Sequence, residues 1–403
     1  MRAQATDGPL LRNTAFRWFF TGRLVSLLGS AMAPVALSFA VLEASNSAGA
    51  MGAVLAANTL PLIVFTLAGG VVGDRFPRRL VLLISHLGAG ISQAVVAFLL
   101  VSGHYHLWSL LLLEAVNGTL TAFTTPALRG IVPDLVGRER LRQANSLLGS
   151  VRNATKILGP AAAGVLVATA GGGWAIAIDA VTYLLAAGCL ARLRPSTAPP
   201  STKDSPLADL RAGWTEFRSR TWVWLIVACF GVVNFLQVGI WRVLGPLIAR
   251  DTVGETAWGV VLGVSATGVL VASATMYRIV PRRLLAVGQL CAVALAFPLL
   301  ALGLHADFLW LAAAALVSGL GTGVYGIAWE TSLQEHLPHE MLSRISSYDN
   351  LGSFVAIPAG QLAVAPLAAS FGAAHVALTG GVLCAVLILV PLASASVRGL
   401  RHG

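Results

Sequence analysis

Glu114 stands alone in an apolar run, Leu-Leu-Leu-Glu-Ala-Val-Asn-Gly at 111–118. A lone charge at the centre of a membrane helix costs about 2.5–3.5 kcal/mol on insertion scales, so such residues line a cavity or pair with another group. A carboxyl group held in low dielectric can trade its charge for a proton, which makes Glu114 a candidate proton carrier. Its candidate partners are Arg23 and the pair Arg152 and Lys156, whose i, i+4 spacing puts them on one helix face. Arg152 and Lys156 come early in their apolar stretch and could equally snorkel to the surface. Arg23 reads either as a cavity group for proton coupling or as a gate charge. Asp179, five residues after the interface marker Trp174, is a second protonation candidate or a helix-end charge. Glu43 and Glu330 end their stretches and are expected at the surface.

Polar and aromatic residues inside other apolar stretches could line a cavity: Asn58, Gln93 and Asn117 in the first half, and Asn234, Gln237, Trp241 and Arg242 in the second. Asn234, Gln237 and Trp241 recur at i, i+3, i+7, a stripe suited to an amphipathic, aromatic-rich ligand. Hydrogen bonding between helices, worth about 0.6 kcal/mol per contact, accounts for the same stripe. The four cysteines are scattered singly and pair with no histidine, so neither a disulfide frame nor a metal site is expected. His104 and His106 fall in a short link and are expected to be solvated. The sequence has no phosphate-binding Gly-rich Lys loop and no Ser/His/Asp or paired-carboxylate arrangement. An enzyme, an ATP-driven machine and a resident cofactor are therefore not expected. Energy would come from a gradient, each charge crossing 100 mV supplying about 2.3 kcal/mol.

The elements that must position these groups are membrane helices. Hydrophobic residues make up 56% of the 403 and charged residues 11%, against about 25% charged in a typical soluble domain. The apolar residues come in blocks of roughly 20, enough to cross a hydrocarbon core of about 30 Å. Twelve helices are expected, near 16–42, 49–72, 80–101, 107–127, 144–169, 173–191, 221–248, 256–278, 284–303, 307–329, 347–369 and 373–393. The first begins too late and runs too long for a cleaved leader. The tetrapeptide Pro-Arg-Arg-Leu occurs at 77–80 and again at 281–284, and Gly118 and Pro133 recur as Gly323 and Pro338. Repetition at half the chain length marks two parallel six-helix halves, 1–192 and 221–403, joined by a Pro/Ser/Thr-rich linker at 193–220. In that linker Leu207, Leu210, Trp214 and Phe217 have the spacing of an interfacial helix. The pairs Gly69/Gly73 and Gly319/Gly323 allow close helix packing and imply no ligand.

The net charge of +10 would suggest nucleic acid in a soluble protein, but its placement does not. Most Lys and Arg lie at the termini or on even-numbered links, and Arg250 is the exception on an odd link. By the positive-inside rule both termini and the even links are cytoplasmic.

Gly70-Val-Val-Gly-Asp-Arg-Phe-Pro-Arg-Arg-Leu resembles the loop 2–3 signature of the major facilitator superfamily: Gly70, Asp74, Arg75, Arg78 and Arg79 match, and Pro77 replaces its second glycine. The second copy keeps Arg282 and Arg283 but has Arg278 in place of the acid. The resemblance implies an all-α polytopic fold and a conformational latch formed by these residues, with Asp74 capping a helix N-terminus near 343–347. Glu114-x-x-Asn117-Gly118 sits where drug/proton antiporters of the superfamily carry an Arg-x-x-Gln-Gly-like motif, so the usual arginine role does not carry over. The segments at 126–136, 141–147 and 159–164, with Asp-Ala-Val-Thr-Tyr at 179–183, are similar to the bacterial branch of enterobactin exporters and macrolide-efflux permeases. That likeness implies a monomeric bacterial inner-membrane exporter of a small amphipathic compound, driven by proton entry. An importer or lipid-moving facilitator on the same fold, or a non-transporting receptor or assembly protein, are the rival readings.

Overall fold

The computed structural model describes residues 10–136, 140–193, 214–215, 217–276, 278, 281–337 and 339–400. The expected linker helix lies mostly outside these residues, Leu207 and Leu210 included. Among them every regular element is helical. The first half consists of α1 (Thr14–Ser45), α2 (Ala48–Arg75), α3 (Arg78–Val101), α4 (Leu107–Val136), α5 (Leu141–Ala170) and α6 (Gly172–Ala191). In the second, α7 (Thr221–Gly239) passes through a π turn at Ile240–Leu244 into α8 (Gly245–Thr252), and α9 spans Glu255–Met276. A 3₁₀ turn at Val293–Ala296 separates α10 (Leu284–Ala292) from α11 (Phe297–Gly303). Then follow α12 (Phe308–His336), α13 (His339–Phe354), α14 (Ile357–Phe371) and α15 (Ala373–Ala393).

Eleven spans among the described residues are long and apolar enough to cross a membrane. The remaining expected helix is α5, whose 30 residues are ample in length. Asn153 and Lys156 dilute its apolar character, which is why it stands apart from the eleven. The three interruptions were not expected: the π turn, the 3₁₀ turn, and the break at Val355–Ala356 between α13 and α14.

The duplication recurs in the backbone. Left-handed residues end corresponding helices in both halves: Asn46 (φ 48°) and Gly254 (φ 86°), Gly103 (φ 72°) and His305 (φ 51°), Gly171 (φ 87°) and Gly372 (φ 84°). Glycine takes this conformation without a Cβ clash, and asparagine tolerates it.

Contacts divide the chain into two compact units: Met1–Asn46 with Ala57–Thr202, and Ser47–Ala56 with Lys203–Gly403. In the first, α1 packs on α6 and α5, and α3 on α4 and α6. Phe16, Leu82, Ile131 and Leu190 gather into one apolar cluster. Asn13 fastens the start of α1, its Oδ1 accepting from the Ala15 and Phe16 amides while its Nδ2 donates to the Leu135 carbonyl at 3.1 Å. In the second unit α12 packs on α9 and α10, and α7 on α13, α14 and α15. Gly319 and Gly323 of α12 press on α9, where a Cβ would meet the Ser265 carbonyl and the Ala272 methyl. Phe217 is buried in this unit, tilted against Tyr348 with ring centroids 5.8 Å apart. Large apolar side chains such as Ile91, Phe98, Trp108, Leu112 and Val386 are exposed, as expected where the surrounding solvent is lipid.

Candidate functional site

Glu114 is 1% exposed and is held by two neutral amides. Asn58 Nδ2 donates to Glu114 Oε2 at 2.8 Å, and Gln93 Nε2 donates to Oε1 at 3.2 Å. The local sequence makes this possible. Gly118 follows Glu114 by one turn on the same face, and a Cβ there would run into the Asn58 carbonyl. The bare glycine lets α2 come close enough for the Asn58 amide to reach the acid. Ser92 clamps α3 to α4 from the other side, its Oγ donating to the Leu113 carbonyl at 2.7 Å, which brings Gln93 into register. No cation pairs with Glu114 among the described residues. The expected ion pairs with Arg23, Arg152 or Lys156 do not form here. Arg152 and Lys156 are exposed, and Arg23 is half-buried within electrostatic reach of Arg152 and Tyr183.

Asp179 lies in the same unit and is also 1% exposed, yet neither carboxylate oxygen has a hydrogen-bond partner. It faces α1 at Gly29, where a Cβ would strike Thr182 Oγ1. It is within electrostatic reach of Glu114, so negative charge on one acid opposes negative charge on the other. Around it, Ser30 Oγ donates to the Tyr183 hydroxyl at 3.1 Å, and His86 meets the Tyr183 ring edge-on at 5.8 Å. His86 is buried, with Nδ1 at 2.8 Å from the Leu82 carbonyl. It escaped the sequence reading, although an ionisable ring within Ser-His-Leu of an apolar span was signal enough. Asn117, a cavity candidate, is buried one turn from Glu114 and accepts a long bond from Thr121 Oγ1 at 3.4 Å.

Of the second-half candidates, Asn234, Gln237 and Trp241 follow one another, each half-buried, along α7 and into the π turn. Asn234 Nδ2 donates to the Ser353 carbonyl at 2.7 Å, tying α7 to α13. Trp241 packs on Trp258 of α9 with centroids 4.5 Å apart, Gln237 is half-buried, and Arg242 is exposed. The stripe's two ends therefore join neighbouring helices. Asp349 of α13 was missed because it falls within three residues of the expected start of its span. Its Oδ2 accepts from Trp329 Nε1 at 2.9 Å and its Oδ1 from Ser353 Oγ at 3.2 Å.

Of the signature loop, the side chains of Asp74 and Arg75 and the surroundings of Gly70 lie outside what the structure describes. Arg79 donates to the Leu190 and Ala191 carbonyls at 3.1 and 2.5 Å, closing the C-terminus of α6. Arg78 pairs with Asp134 at 3.1 Å.

This duplicated helical body, with ionisable groups buried inside its spans, can be set against known proteins. Residues 19–360 match the profile of the Major Facilitator Superfamily. The chain belongs to that superfamily. It is a multi-pass membrane transporter and not an enzyme. It is 25% identical over 346 residues to the enterobactin exporter EntS of Escherichia coli O6:K15:H31, covering 84% of this chain and 81% of that protein. It is likewise 25% identical over 392 residues to macrolide efflux protein A of Streptococcus pyogenes, covering 93% and 94%. Among solved structures it resembles the nucleoside transporter NupG (TM-score 0.74, 13% identity, 94% of this chain and 98% of that one). It also resembles a bacterial homologue of the iron transporter ferroportin in an inward-facing state (TM-score 0.71, 18% identity, 96% and 100%). These structural likenesses establish the shared fold.

Proposed function

We propose that this superfamily member exports a small amphipathic organic compound by alternating access, in exchange for protons. The observation that carries the reading is Glu114, buried in its span and served by two neutral donors instead of a cation. An ionised acid at that depth needs either a counter-charge or a proton. Asn58 and Gln93 orient the carboxyl in either state: each donates to an oxygen, and neither fixes its charge. Asp179, within electrostatic reach and without partners of its own, is the second proton site. A proton taken up from outside at these groups and released inside would reset the cavity for the next substrate. The names of the two relatives, an enterobactin exporter and a macrolide efflux protein, support the outward direction and the drug, antibiotic or siderophore-like substrate class. The protein would work as a monomer in a bacterial cytoplasmic membrane with both termini inside, its partners the substrate and the surrounding lipid, and it would need no cofactor.

The test is transport in everted membrane vesicles of a host lacking its main efflux pumps, after a growth-inhibition panel has supplied a substrate. Wild type should accumulate the compound in the lumen when the lumen is made acidic, so that protons leave as substrate enters. Glu114→Gln should lose this uphill uptake and keep substrate counterflow. Flux in the opposite direction would establish an importer, and a Glu114→Gln protein that still pumps uphill would remove the acid from the coupling.

A further inference from the structure

The amphipathic end of the linker plays no part in the proton-coupling scheme, and in the second unit it borders a groove. Trp214 and Phe217 stack with ring centroids 5.8 Å apart, and both meet Tyr348 of α13, at 5.4 and 5.8 Å. Phe217 is buried, but Trp214 is 46% exposed. From these rings a groove of about 710 Å³ runs between α7 and α13. Its floor lies where the two helices touch. A Cβ on Gly352 would meet Val227 at 2.5 Å, and one on Gly231 would meet the Gly352 carbonyl at 2.7 Å. Its walls are apolar, Trp224 and Ala228 on α7 and Leu351 and Val355 on α13. All four are exposed, so the groove opens away from the core of the unit.

Arg218 is the charged residue in the lining. It is exposed and makes no ion pair among the described residues. Asp349, the acid next to Tyr348, turns to the interior, where its oxygens accept from the buried Trp329 and Ser353. By the positive-inside rule this end of α7 faces the cytoplasm, the side on which the membrane surface is negative. An arginine fork suits a phosphate, and indole rings sit well at the level of lipid headgroups. An apolar trough leading from both toward the bilayer middle suits an acyl chain. A zwitterionic lipid would bring an ammonium that Arg218 opposes. We propose that this groove binds an anionic phospholipid of the cytoplasmic leaflet, its phosphate on Arg218 and one acyl chain along Trp224, Leu351 and Val355. The bound lipid would fasten the end of the linker to α7 and α13.

The test is made on the purified full-length protein, stripped of lipid in detergent. It is titrated with dioleoyl phosphatidylglycerol and, separately, with dioleoyl phosphatidylcholine. Native mass spectrometry counts the bound lipid, and the unfolding temperature is followed in parallel. Wild type should prefer the anionic lipid and be stabilised by it. Arg218→Gln should unfold like wild type without lipid and weaken anionic binding roughly fivefold, the scale of one basic residue at an anionic surface. Ala228→Trp fills the trough from an exposed position, leaves the charge in place, and should weaken anionic binding as well. Arg282→Gln removes an exposed arginine on the same side of the bilayer but outside the groove, and should change nothing. Equal binding of the two lipids by wild type, or full anionic binding in Arg218→Gln or Ala228→Trp, would overturn the site. Equal losses in Arg218→Gln and Arg282→Gln would reduce it to general surface attraction and overturn it too. Competition by glycerol 3-phosphate as strong as that by the lipid would make this a site for a soluble phosphate compound, against the proposal. Glu114→Gln should bind the lipid as wild type does, so neither success nor failure here bears on the proton scheme.

Discussion

Asn58 touches the Glu114 helix twice: its side-chain amide donates to Glu114 Oε2 at 2.8 Å, and its backbone carbonyl lies against Gly118. One glycine thus sets how far the acid is from its donor. Gly118→Ala must push α2 and α4 apart at that point. Overpacking of this kind costs about 1–3 kcal/mol, so the unfolding temperature in detergent should fall and proton-coupled transport should fall with it. Asn58→Ala removes the amide while keeping the close approach, and it should impair coupling with a smaller loss of stability. Equal unfolding temperatures for Gly118→Ala and wild type would show that the helices have room to spare.

Asp179 is buried with both oxygens bare, and its neighbour Thr182 turns its hydroxyl to the Asp179 backbone carbonyl at 2.7 Å and not to the acid. A group that contributes no hydrogen bond to the fold can be neutralised cheaply. Asp179→Asn should leave the unfolding temperature within the experimental spread, or raise it, and should reduce uphill transport. Gly29→Ala is the contrast, because its methyl would enter the space of Thr182 and should destabilise by about 1–3 kcal/mol. If Asp179→Asn unfolds as early as Gly29→Ala, the acid serves the packing and not the proton.

The two arginines of the signature loop should separate in the same assay. Arg78 and Asp134 form an ion pair whose side chains remain 33% and 24% exposed, the kind of contact worth about 0–1 kcal/mol. Arg79 instead satisfies two carbonyls at the end of α6, and hydrogen bonds from a charged donor are worth about 1.5–3 kcal/mol each. Arg79→Ala should lower the unfolding temperature clearly, and Arg78→Ala barely. A transport defect in Arg78→Ala at unchanged stability would be the mark of the latch role that the signature implies.

Much of this fold was legible because a bilayer leaves a helix few alternatives: it must be long, apolar and internally hydrogen-bonded. The Pro-Arg-Arg-Leu repeat exposed the duplication, and the lone Glu114 exposed a buried acid. What could not be read was which polar residue meets which. Asn58 and Gln93 looked like cavity lining because nothing in α2 or α3 announces that Gly118 will bring Asn58 onto Glu114. Arginines looked like partners for Glu114 because charge complementarity is visible in a sequence and helix rotation is not. Asp349 was hidden by its place near the start of a span, where a charge ordinarily needs no explanation. The π turn at Ile240–Leu244 and the break at Val355–Ala356 each end just before a proline, Pro246 and Pro358, inside an expected helix; a proline cannot donate to the backbone ladder behind it, and that signal was passed over because the apolar run continues through it.

Asn234 offers the sharpest test of whether the polar residues of α7 bind ligand or join helices. Its Nδ2 reaches the Ser353 carbonyl at 2.7 Å, just before the helix breaks at Val355–Ala356, where the regular backbone ladder gives out. Ser353 is buried, so its carbonyl has little water to fall back on. Asn234→Leu keeps the volume and removes the donor, leaving that carbonyl unsatisfied at a cost of about 1–3 kcal/mol. The expected result is a lower unfolding temperature with an unchanged substrate dissociation constant in the fraction that stays folded. A variant as stable as wild type but tenfold weaker in substrate binding would return Asn234 to the cavity wall and make its bond to Ser353 incidental.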